Sequence, residues 1–512
     1  MCFEKKFTQS GYKQFTLTAT LERFSSLHFT SSSLRSPLVY SQLTIMAHSQ
    51  KLALGIDLGT TSVKVVVVST ETKQIVSKQS KDTQANVPSD LGVEGNKQDV
   101  PKILSAVHSC VSRIPKDLLR QVVNIGICGQ MHGVTFWKYS SEEDDKEHDG
   151  VFKLEISREK VSPLYTWQDS RCDPKFLASL PASKSHLTTH SGYGCATIFW
   201  FAKYKPEKLS KYNRCGTVQD LLVALLCGHS EVTISTQNAA SWGYFLTTES
   251  RWEIDVLSQH EFPTHILPSK ILQPGQAAGC LEQTWFGIPA GTPVGVALGD
   301  LQCSVYALLK DPTDAVLNIS TSAQLAYVDP FFSPKQSGET AKIQHFPYFE
   351  GRYLAVAASL NGGNSLATFV RALQQWSMDL GFSIPQSKVW EKLIALGQED
   401  TAISDLEIVP TLLGERHAPE HTASVSQITL DTLQLGQIFR ALCSGVIKNL
   451  HNMMPQEVLQ KAGIQQIVGN GSGLVRNLVL QKEVLRWYQL PLEIGQSGDA
   501  ALGSALAVIN HN

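Results

Sequence analysis

Residues 52–68 read LALGIDLGTTSVKVVVV, and this stretch decides the fold. An apolar strand leads into the turn Asp57-Leu58-Gly59-Thr60-Thr61-Ser62, and a second apolar strand leaves it. Residues 315–328, AVLNISTSAQLAYV, repeat the order of strand, turn and strand around Asn318-Ile319-Ser320-Thr321-Ser322. Two hairpins tipped with small hydroxyl residues indicate a duplicated half-molecule, in which each half offers one turn to the same phosphate chain. Phosphoryl transfer depends mostly on holding charged oxygens in place with amides, hydroxyls and a metal.

The length and composition indicate a soluble globular protein with two or three domains. A chain of 512 residues is too long for one core, and 42% hydrophobic with 18% charged residues is ordinary for such proteins. The 44 basic and 46 acidic residues leave a net charge of −2, which points to neither nucleic acid nor an anionic membrane. We therefore predict no nucleic-acid partner and no membrane partner. The ten cysteines show no Cys-x-x-Cys pair, which favours free thiols.

The N-terminal segment differs from the rest of the chain. Residues 1–45 are rich in Ser and Thr, and their basic residues outnumber Glu4 and Glu22. We predict a disordered N-terminal extension over 1–50 and a cytoplasmic location, because the extension lacks an apolar signal core. An organellar transit peptide is the alternative.

Beyond residue 52, strands alternate with helices, which predicts an α/β architecture. In the first half the pattern predicts a third strand at 74–78, a helix at 100–113, a strand at 122–128 and an acidic surface loop at 141–150. In the second half it predicts strands at 353–357 and 466–468, helices at 365–376, 433–453 and 475–488, and a last helix to 508 capped by Asp499. A domain boundary is expected near 300–314, where Asp311-Pro312 is typical of a linker turn.

The first turn carries the residue types that a phosphate site needs. Gly59 allows tight backbone curvature, and Thr60, Thr61 and Ser62 supply hydroxyl and amide donors. Lys64 adds a positive charge, and Asp57 is a candidate ligand of hydrated Mg²⁺. An ordinary capped hairpin is the alternative, and the repeat at 318–322 argues against it. The glycine-rich turns at 362–363 and 469–473 are weaker candidates of the same kind, and the chain has no P-loop sequence.

A second polar cluster follows two predicted strands. It comprises Gln130-Met131-His132-Gly133 and Trp167-Gln168-Asp169-Ser170-Arg171. An aromatic face beside amide, carboxylate and guanidinium groups suits a polyol or sugar. A structural His132 and a surface Asp169–Arg171 ion pair remain open alternatives. Asp300 follows the apolar run 293–298, where a carboxylate could orient or deprotonate a substrate hydroxyl, or simply cap a helix.

Together and in this order, these motifs resemble the FGGY family of carbohydrate kinases over about residues 51–509. The resemblance implies an α/β fold with two actin-like ATPase (ribonuclease H-like) domains and an active-site cleft between them. The implied domains are an N-terminal sugar-binding domain at 51–307 and a C-terminal nucleotide-binding domain at 308–509. The stretches 192–200, 237–245 and 411–417 resemble family members that act on sedoheptulose, a seven-carbon ketose.

The resemblance also implies residue roles. Asp300 matches the catalytic base, and Asp57 lies near the metal. The sugar-binding positions are Gln130, Met131, His132, Trp167, Asp169 and Arg171. The nucleotide-binding positions are Thr60, Thr61, Ser62, Lys64, Thr321, Gly362, Gly471, Ser472 and Asn477. The implied activity is phosphorylation of sedoheptulose to sedoheptulose 7-phosphate with ATP and Mg²⁺, which makes the sugar and ATP the expected partners. A kinase for xylulose or another ketose is the alternative, and a non-kinase actin-like ATPase a more distant one.

Overall fold

The first hairpin forms where the sequence predicts it. The computed structural model describes residues 50–89, 91, 95–139, 156–334, 342–399, 405–495 and 498–511. Residues 1–49 of the predicted extension and the acidic loop at 141–150 lie outside the described residues.

Among the described residues of the first half, four strands have seven or eight residues and three helices have ten or more, while the other elements are shorter. Its strands are β1 (Leu52–Leu58), β2 (Ser62–Ser69), β3 (Ile75–Asp82), β4 (Asn86–Val87), β5 (Lys97–Gln98), β6 (Val122–Gly129), β7 (Thr135–Trp137), β8 (Leu164–Tyr165), β9 (Arg214–Gly216), β10 (Thr233–Ser235), β11 (Phe245–Leu246), β12 (Arg251–Trp252), β13 (Lys270–Leu272), β14 (Ala277–Cys280), β15 (Pro293–Gly295) and β16 (Leu298–Gly299). Its helices are α1 (Val100–Ser112), α2 (Lys116–Leu119), α3 (Pro174–Ala178), α4 (Gly194–Tyr204), α5 (Pro206–Leu209), α6 (Val218–Cys227), α7 (Thr236–Ala240), α8 (Ile254–Ser258) and α9 (Asp300–Leu308), with a 3₁₀ turn at Thr264–Ile266.

The second half has fewer strands and longer helices. Its strands are β17 (Asp314–Ile319), β18 (Ala323–Asp329), β19 (Gln344–Pro347), β20 (Tyr353–Ser359), β21 (Glu407–Val409), β22 (Ser424–Ser426), β23 (Gln466–Asn470) and β24 (Leu492–Ile494). Its helices are α10 (Gly363–Asp379), α11 (Gln386–Glu399), α12 (Leu435–Met453), α13 (Gln456–Lys461), α14 (Ser472–Val475), α15 (Leu478–Tyr488) and α16 (Ala500–His511), with a 3₁₀ turn at Asp431–Leu433.

Each half is built on a mixed sheet, and the two sheets share the arrangement of five strands, while β14 in the first and β19 in the second are edge strands that the other sheet lacks. The first sheet has the order β14-β15-β6-β1-β2-β3, with β16 also paired to β6, and the second has the order β19-β20-β18-β17-β23-β24. In both, an antiparallel three-strand meander comes first (β1-β2-β3 and β17-β18-β20), and the next strands lie parallel to its first strand. The duplicated half-molecule that the two hairpins predicted is therefore present in the sheets.

The hairpin strands lie at the centre of their sheets because both of their faces are apolar. Every residue of β1 is buried, and β2 alternates only at its start before five buried residues in a row. Strands buried on both faces read as continuous apolar runs, since helices cover each side. One apolar core surrounds the first sheet, and a second fills the space between β17, β18, β20 and the helices α10 to α15.

One predicted helix is wrong in its continuity. The apolar pattern predicts a single helix over 475–488, but the structure has two, α14 and α15. The break lies at Asn477, whose Oδ1 accepts hydrogen bonds from Val479 N at 3.0 Å and Leu480 N at 3.3 Å. A side chain that satisfies the free amides of a helix start favours a new helix over continuation.

The last helix returns to the first sheet. The predicted cap is confirmed, because Ala501 N donates to Asp499 Oδ1 at 3.2 Å. α16 packs so closely on β1 and β6 that an added Cβ at Gly55 would lie 2.0 Å from Ala501 O, and one at Gly126 2.1 Å from Ser504 O. The domain boundary at 307/308 stays a prediction, although this helix from the second half lies on the sheet of the first.

Among the described residues, every helix is too short or too polar to cross a bilayer.

Candidate active site

Three neighbouring strands of the first sheet end at the same edge. β1 and β6 run parallel, with Asp57 opposite Cys128, and β16 runs parallel to β6, with Gly299 opposite Gly129. Carboxyl ends of parallel strands meet at one edge of a sheet, which is where α/β proteins place their ligands. Asp57, Gln130 and Asp300 therefore converge, although more than 200 residues separate the first from the last.

The two carboxylates at this edge have raised pKa values. The pKa of Asp300 is raised from 3.8 to about 7, mainly by loss of contact with water and in addition by the negative charge of Asp57. Burial raises the pKa of Asp57 to about 6, with Lys64 opposing and Asp499 adding to the shift. Lys64 lies opposite Asp57 in the hairpin register, with Nζ 3.6 Å from Asp57 Oδ2. Buried acids whose pKa values approach neutrality are typical of functional sites.

This edge fits a hydrated magnesium ion. Among the described residues no three His, Cys, Asp or Glu side chains group as a protein-only metal cage. Mg²⁺ in phosphoryl-transfer sites instead uses one or two carboxylates together with phosphates and waters. The negative charge of Asp57 repels a negative charge on Asp300. A cation beside Asp57 would weaken that repulsion.

The first hydroxyl turn is tied to the predicted sugar residues by hydrogen bonds. Trp167 Nε1 donates to Thr60 Oγ1 at 3.0 Å. Gln98 Nε2 donates to Thr60 O at 2.7 Å, and Gln130 Nε2 donates to Gln98 Oε1 at 3.0 Å. Thr61 is exposed, and Ser62 and Lys64 are half-buried. The structure therefore brings Thr60, Gln130 and Trp167 together, with Gln98 as an unpredicted link.

His132 and Met131 form another wall of this region. The His132 ring stacks on Tyr193 with centroids 4.3 Å apart, and its Nδ1 lies 2.9 Å from Ser241 O. His132 has a φ of 70°, a left-handed conformation that is rare outside glycine and persists only where the surroundings hold it. Burial lowers the pKa of His132 to about 3, with the positive charge of Arg416 contributing. Met131 packs over Gly299, next to Asp300.

Asp169 and Arg171 pair with each other away from solvent. Arg171 Nε donates to Asp169 Oδ1 at 2.7 Å, and its Nη2 donates to Oδ2 at 2.8 Å. The surface ion pair considered as the alternative is therefore wrong, since the Arg171 side chain is only 4% exposed and that of Asp169 is fully buried. Asn96 N also donates to Asp169 Oδ2 at 3.0 Å. Because both carboxylate oxygens of Asp169 accept these hydrogen bonds, the ion pair holds the loop that carries Trp167. Direct contact of Asp169 or Arg171 with a sugar stays a prediction.

The second hydroxyl turn lies against both glycine-rich turns. Gly363 N donates to Ser320 O, and Asn364 N donates to Thr321 O, each at 3.0 Å. Gly471 has a φ of 90°, and a Cβ there would lie 2.3 Å from Ile319 O. The structure thus gathers Thr321, Gly362, Gly471 and Ser472, with the hydroxyl residues Thr321 and Ser472 exposed. Asn477 differs, because it is 3% exposed and its side chain caps α15.

The sequence analysis missed several residues that connect these groups. Glu415 and Arg416 belong to the stretch 411–417, which was quoted for its resemblance but given no role. Arg416 lies 5.9 Å from the centre of the Trp167 ring, and the Glu415 carboxylate accepts from Asn361 Nδ2, next to Gly362. Tyr193 likewise lay in a quoted stretch. Gln98, on a two-residue strand, had no signal of its own.

A duplicated mixed sheet with a hydroxyl-tipped turn in each copy defines the actin-like ATPase class, as the resemblance implied. Two solved structures share this fold: a xylulose kinase from Rhodospirillum rubrum (TM-score 0.71, 17% identity, 89% of each chain covered) and Plasmodium falciparum glycerol kinase with ADP (TM-score 0.71, 16% identity, 90% of this chain and 89% of that one).

The N-terminal domain of the FGGY family of carbohydrate kinases matches residues 52–307. The chain is also 47% identical over 476 residues to human sedoheptulokinase, covering 91% of this chain and 98% of that protein. Its identity to mouse sedoheptulokinase is 47% over 474 residues, with the same coverage. The chain belongs to the FGGY family of carbohydrate kinases.

Proposed function

We propose that this protein transfers the γ-phosphoryl group of ATP to the terminal hydroxyl of sedoheptulose, giving sedoheptulose 7-phosphate. The observation that carries the substrate is the 47% identity to two proteins named sedoheptulokinase, across 91% of this chain. The site supports the chemistry, because a half-buried carboxylate with a raised pKa, a lysine-paired aspartate and hydroxyl-tipped turns are the parts that phosphoryl transfer uses.

In this proposal Asp300 accepts the proton of the attacking hydroxyl. Its pKa of about 7 suits that role, since a general base works best with a pKa near the working pH. Because the transition state is largely dissociative, orientation of the hydroxyl by Asp300 matters at least as much as removal of the proton.

The sugar would lie along the wall of Gln130, Met131, His132 and Trp167. His132 is neutral at physiological pH, because its pKa is about 3. Its Nδ1 faces the carbonyl oxygen of Ser241 and therefore carries the proton, which leaves Nε2 to accept a hydrogen bond from a sugar hydroxyl. Asp169 and Arg171 would act by holding the Trp167 loop.

The nucleotide would lie between the two hydroxyl turns, on Thr60, Thr61, Ser62 and Lys64 from one half. From the other half Thr321, Gly362, Gly471 and Ser472 would contribute, while Asn477 would support the loop from within. Mg²⁺ beside Asp57 would neutralise charge on the phosphates. A cytoplasmic location belongs to the same proposal, and cell fractionation would test it.

The test is ADP release from ATP and Mg²⁺ with sedoheptulose, xylulose, ribulose and glycerol measured side by side. We expect the highest kcat/KM with sedoheptulose. Turnover of a five-carbon ketose alone would keep the kinase and replace the substrate. Folded protein that binds ATP and phosphorylates none of the sugars would contradict the proposal and favour a non-kinase ATPase.

A further inference from the structure

Arg416 belongs to the second half of the chain but reaches the sugar wall of the first. Its guanidinium carbon lies 5.9 Å from the centre of the Trp167 ring, and the side chain is half-buried. Trp167 in turn donates to Thr60 in the first hydroxyl turn. Arg416 is therefore at the point where the two halves meet beside the predicted substrates.

The backbone that carries Arg416 is held firmly. The preceding carboxylate, Glu415, accepts hydrogen bonds at Oε1 from Ser359 Oγ (2.6 Å), Asn361 Nδ2 (2.9 Å) and Asn449 Nδ2 (2.8 Å), and at Oε2 from Leu360 N (3.0 Å). A carboxylate with this many donors fixes its own rotamer and the adjacent main chain. Arg416 is thus presented from a preorganised turn, which lowers the entropic cost of binding a ligand.

No described carboxylate pairs with the guanidinium of Arg416. Within the described residues neither an ion pair nor a hydrogen bond engages it, whereas Arg171 forms a two-point pair with Asp169. A guanidinium carries five donors in a fixed fork, and removing them from water without acceptors costs free energy. A half-buried, preorganised and unpaired arginine in a cleft is suited to a ligand with several oxygen acceptors.

The surroundings of Arg416 favour the sugar over the nucleotide. Its charge lowers the pKa of His132 and of His190, in each case adding to the effect of burial. The charges that shift Asp300 are instead those of Asp57 and Lys64. Together with the 5.9 Å approach to the Trp167 ring, these effects place Arg416 at the aromatic wall of Trp167 and His132.

We propose that Arg416 binds the carbonyl and hydroxyl oxygens at the end of the ketose remote from the phosphorylated hydroxyl, and so selects for sugar length. The inference rests on the proposed function, which places the reacting hydroxyl at Asp300. A five-carbon ketose held there is two carbons shorter, and in this proposal it would not reach the Arg416 fork. Arg416 would then discriminate between seven- and five-carbon ketoses without touching the reacting atoms.

The experiment compares wild type with Arg416→Met and Arg416→Lys, with Arg371→Met as the matched control on an exposed helix surface. We expect the KM for sedoheptulose to rise about 10–100-fold in Arg416→Met, the range for losing hydrogen bonds from a charged group. The KM for xylulose and the KM for ATP should change by less than about threefold, since neither contact is lost. Arg416→Lys should fall between, because it keeps the charge but lacks the fork.

A second arm needs no variant: wild-type protein with 1-deoxy-sedoheptulose should show a raised KM, because the remote hydroxyl is missing. An unchanged sedoheptulose KM in the folded Arg416 variants, or an increase confined to ATP, would overturn the role of Arg416. If the variants fail to fold, an unchanged KM for the deoxy analogue overturns it instead. Wild-type protein that turns over no ketose contradicts the proposed function itself, which keeps the two failures distinct.

Discussion

At the scale of the residue, buried Asp57 and half-buried Asp300 are the two carboxylates at the edge of the first sheet. The pKa of Asp300 is raised to about 7 and that of Asp57 to about 6, in both cases mainly by burial. The positive charge of Lys64, whose Nζ lies 3.6 Å from Asp57 Oδ2, opposes part of the rise in the pKa of Asp57. The site is therefore destabilised at high pH while it is empty, and cationic or hydrogen-bonding ligands would relieve that strain.

Asp300→Asn should separate activity from stability. We expect kcat to fall about 10²–10⁴-fold, the range for loss of a general base. The folded-state pKa of about 7 lies above the ordinary 3.8, so the contribution of Asp300 to stability is complete below pH 3.8 and is lost as the pH rises through 7. The stability of Asp300→Asn should not show this fall with rising pH. Urea unfolding of wild type and variant at pH 5 and pH 8 measures the difference.

The exposed Asp379→Asn is the control, for which neither change is expected. A folded Asp300→Asn protein with full activity would remove Asp300 from the mechanism.

At the scale of the element, the second hydroxyl turn depends on close backbone contact with a glycine-rich turn. Gly471 combines a φ of 90° with a gap that leaves a Cβ only 2.3 Å from Ile319 O. Gly362 is similarly confined, since a Cβ there would lie 2.4 Å from the carbonyl carbon of Ser322. Side chains would push the turn and the loops apart, which would move the predicted nucleotide contacts.

Gly471→Ala should therefore lower the free energy of unfolding by more than its left-handed backbone conformation alone accounts for. The matched control is Gly381→Ala, because Gly381 has a φ of 87° and no atom within 4 Å of an added Cβ. We expect the control to lose about 1–2 kcal/mol of stability from the left-handed conformation. Gly471→Ala should lose more and also raise the KM for ATP about tenfold, which corresponds to 1.4 kcal/mol of binding. Equal effects of both variants on stability and KM would show that the contact with Ile319 is unimportant.

At the scale of the whole molecule, the C-terminal helix α16 packs on the sheet of the first half. α16 lies directly on β1 and β6, and Ser504 Oγ donates to Gly126 O at 3.3 Å. The helix starts after Asp499, whose negative charge adds to the raised pKa of Asp57. The C-terminal segment thus contributes both to the packing of the first sheet and to the electrostatics of the site.

Gly126→Ala should destabilise the molecule through this contact. We expect a loss of about 1–3 kcal/mol, as for overpacking elsewhere, because the Cβ would lie 2.1 Å from the backbone oxygen Ser504 O. Gly295→Ala is the comparison on the same sheet, since its Cβ would meet the side chain of Val508 at 2.6 Å and side chains yield more readily than backbone. Thermal unfolding of both variants measures the difference, and an equal or larger loss in Gly295→Ala would contradict this account.

The sequence was informative wherever the signal is local. The hairpin strands, the helix from Val100 and the Asp499 cap lie where expected, because apolar runs and capping residues act over a few positions. Asn477 shows that a local pattern can give the wrong helix bounds. The apolar residues around it predicted one helix, whereas its side chain caps the start of a second helix.

The same limit applies at the site. Asp169 and Arg171 were recognised as a pair, but spacing alone gave no information on burial, which decides whether such a pair contacts solvent, a ligand or only itself.

By itself the sequence determined the duplicated hairpins, the family resemblance and the residue types of the phosphate and sugar sites, because these follow from neighbours along the chain. Only the tertiary structure decided that Asp57 and Asp300 share a sheet edge, that Gln98 and Tyr193 contact residues of the predicted sugar wall, and that Arg416 reaches Trp167 from the other half. Those contacts join residues far apart in the chain, so they depend on sheet order and helix packing. Burial in turn sets the charge of the groups that the packing brings together.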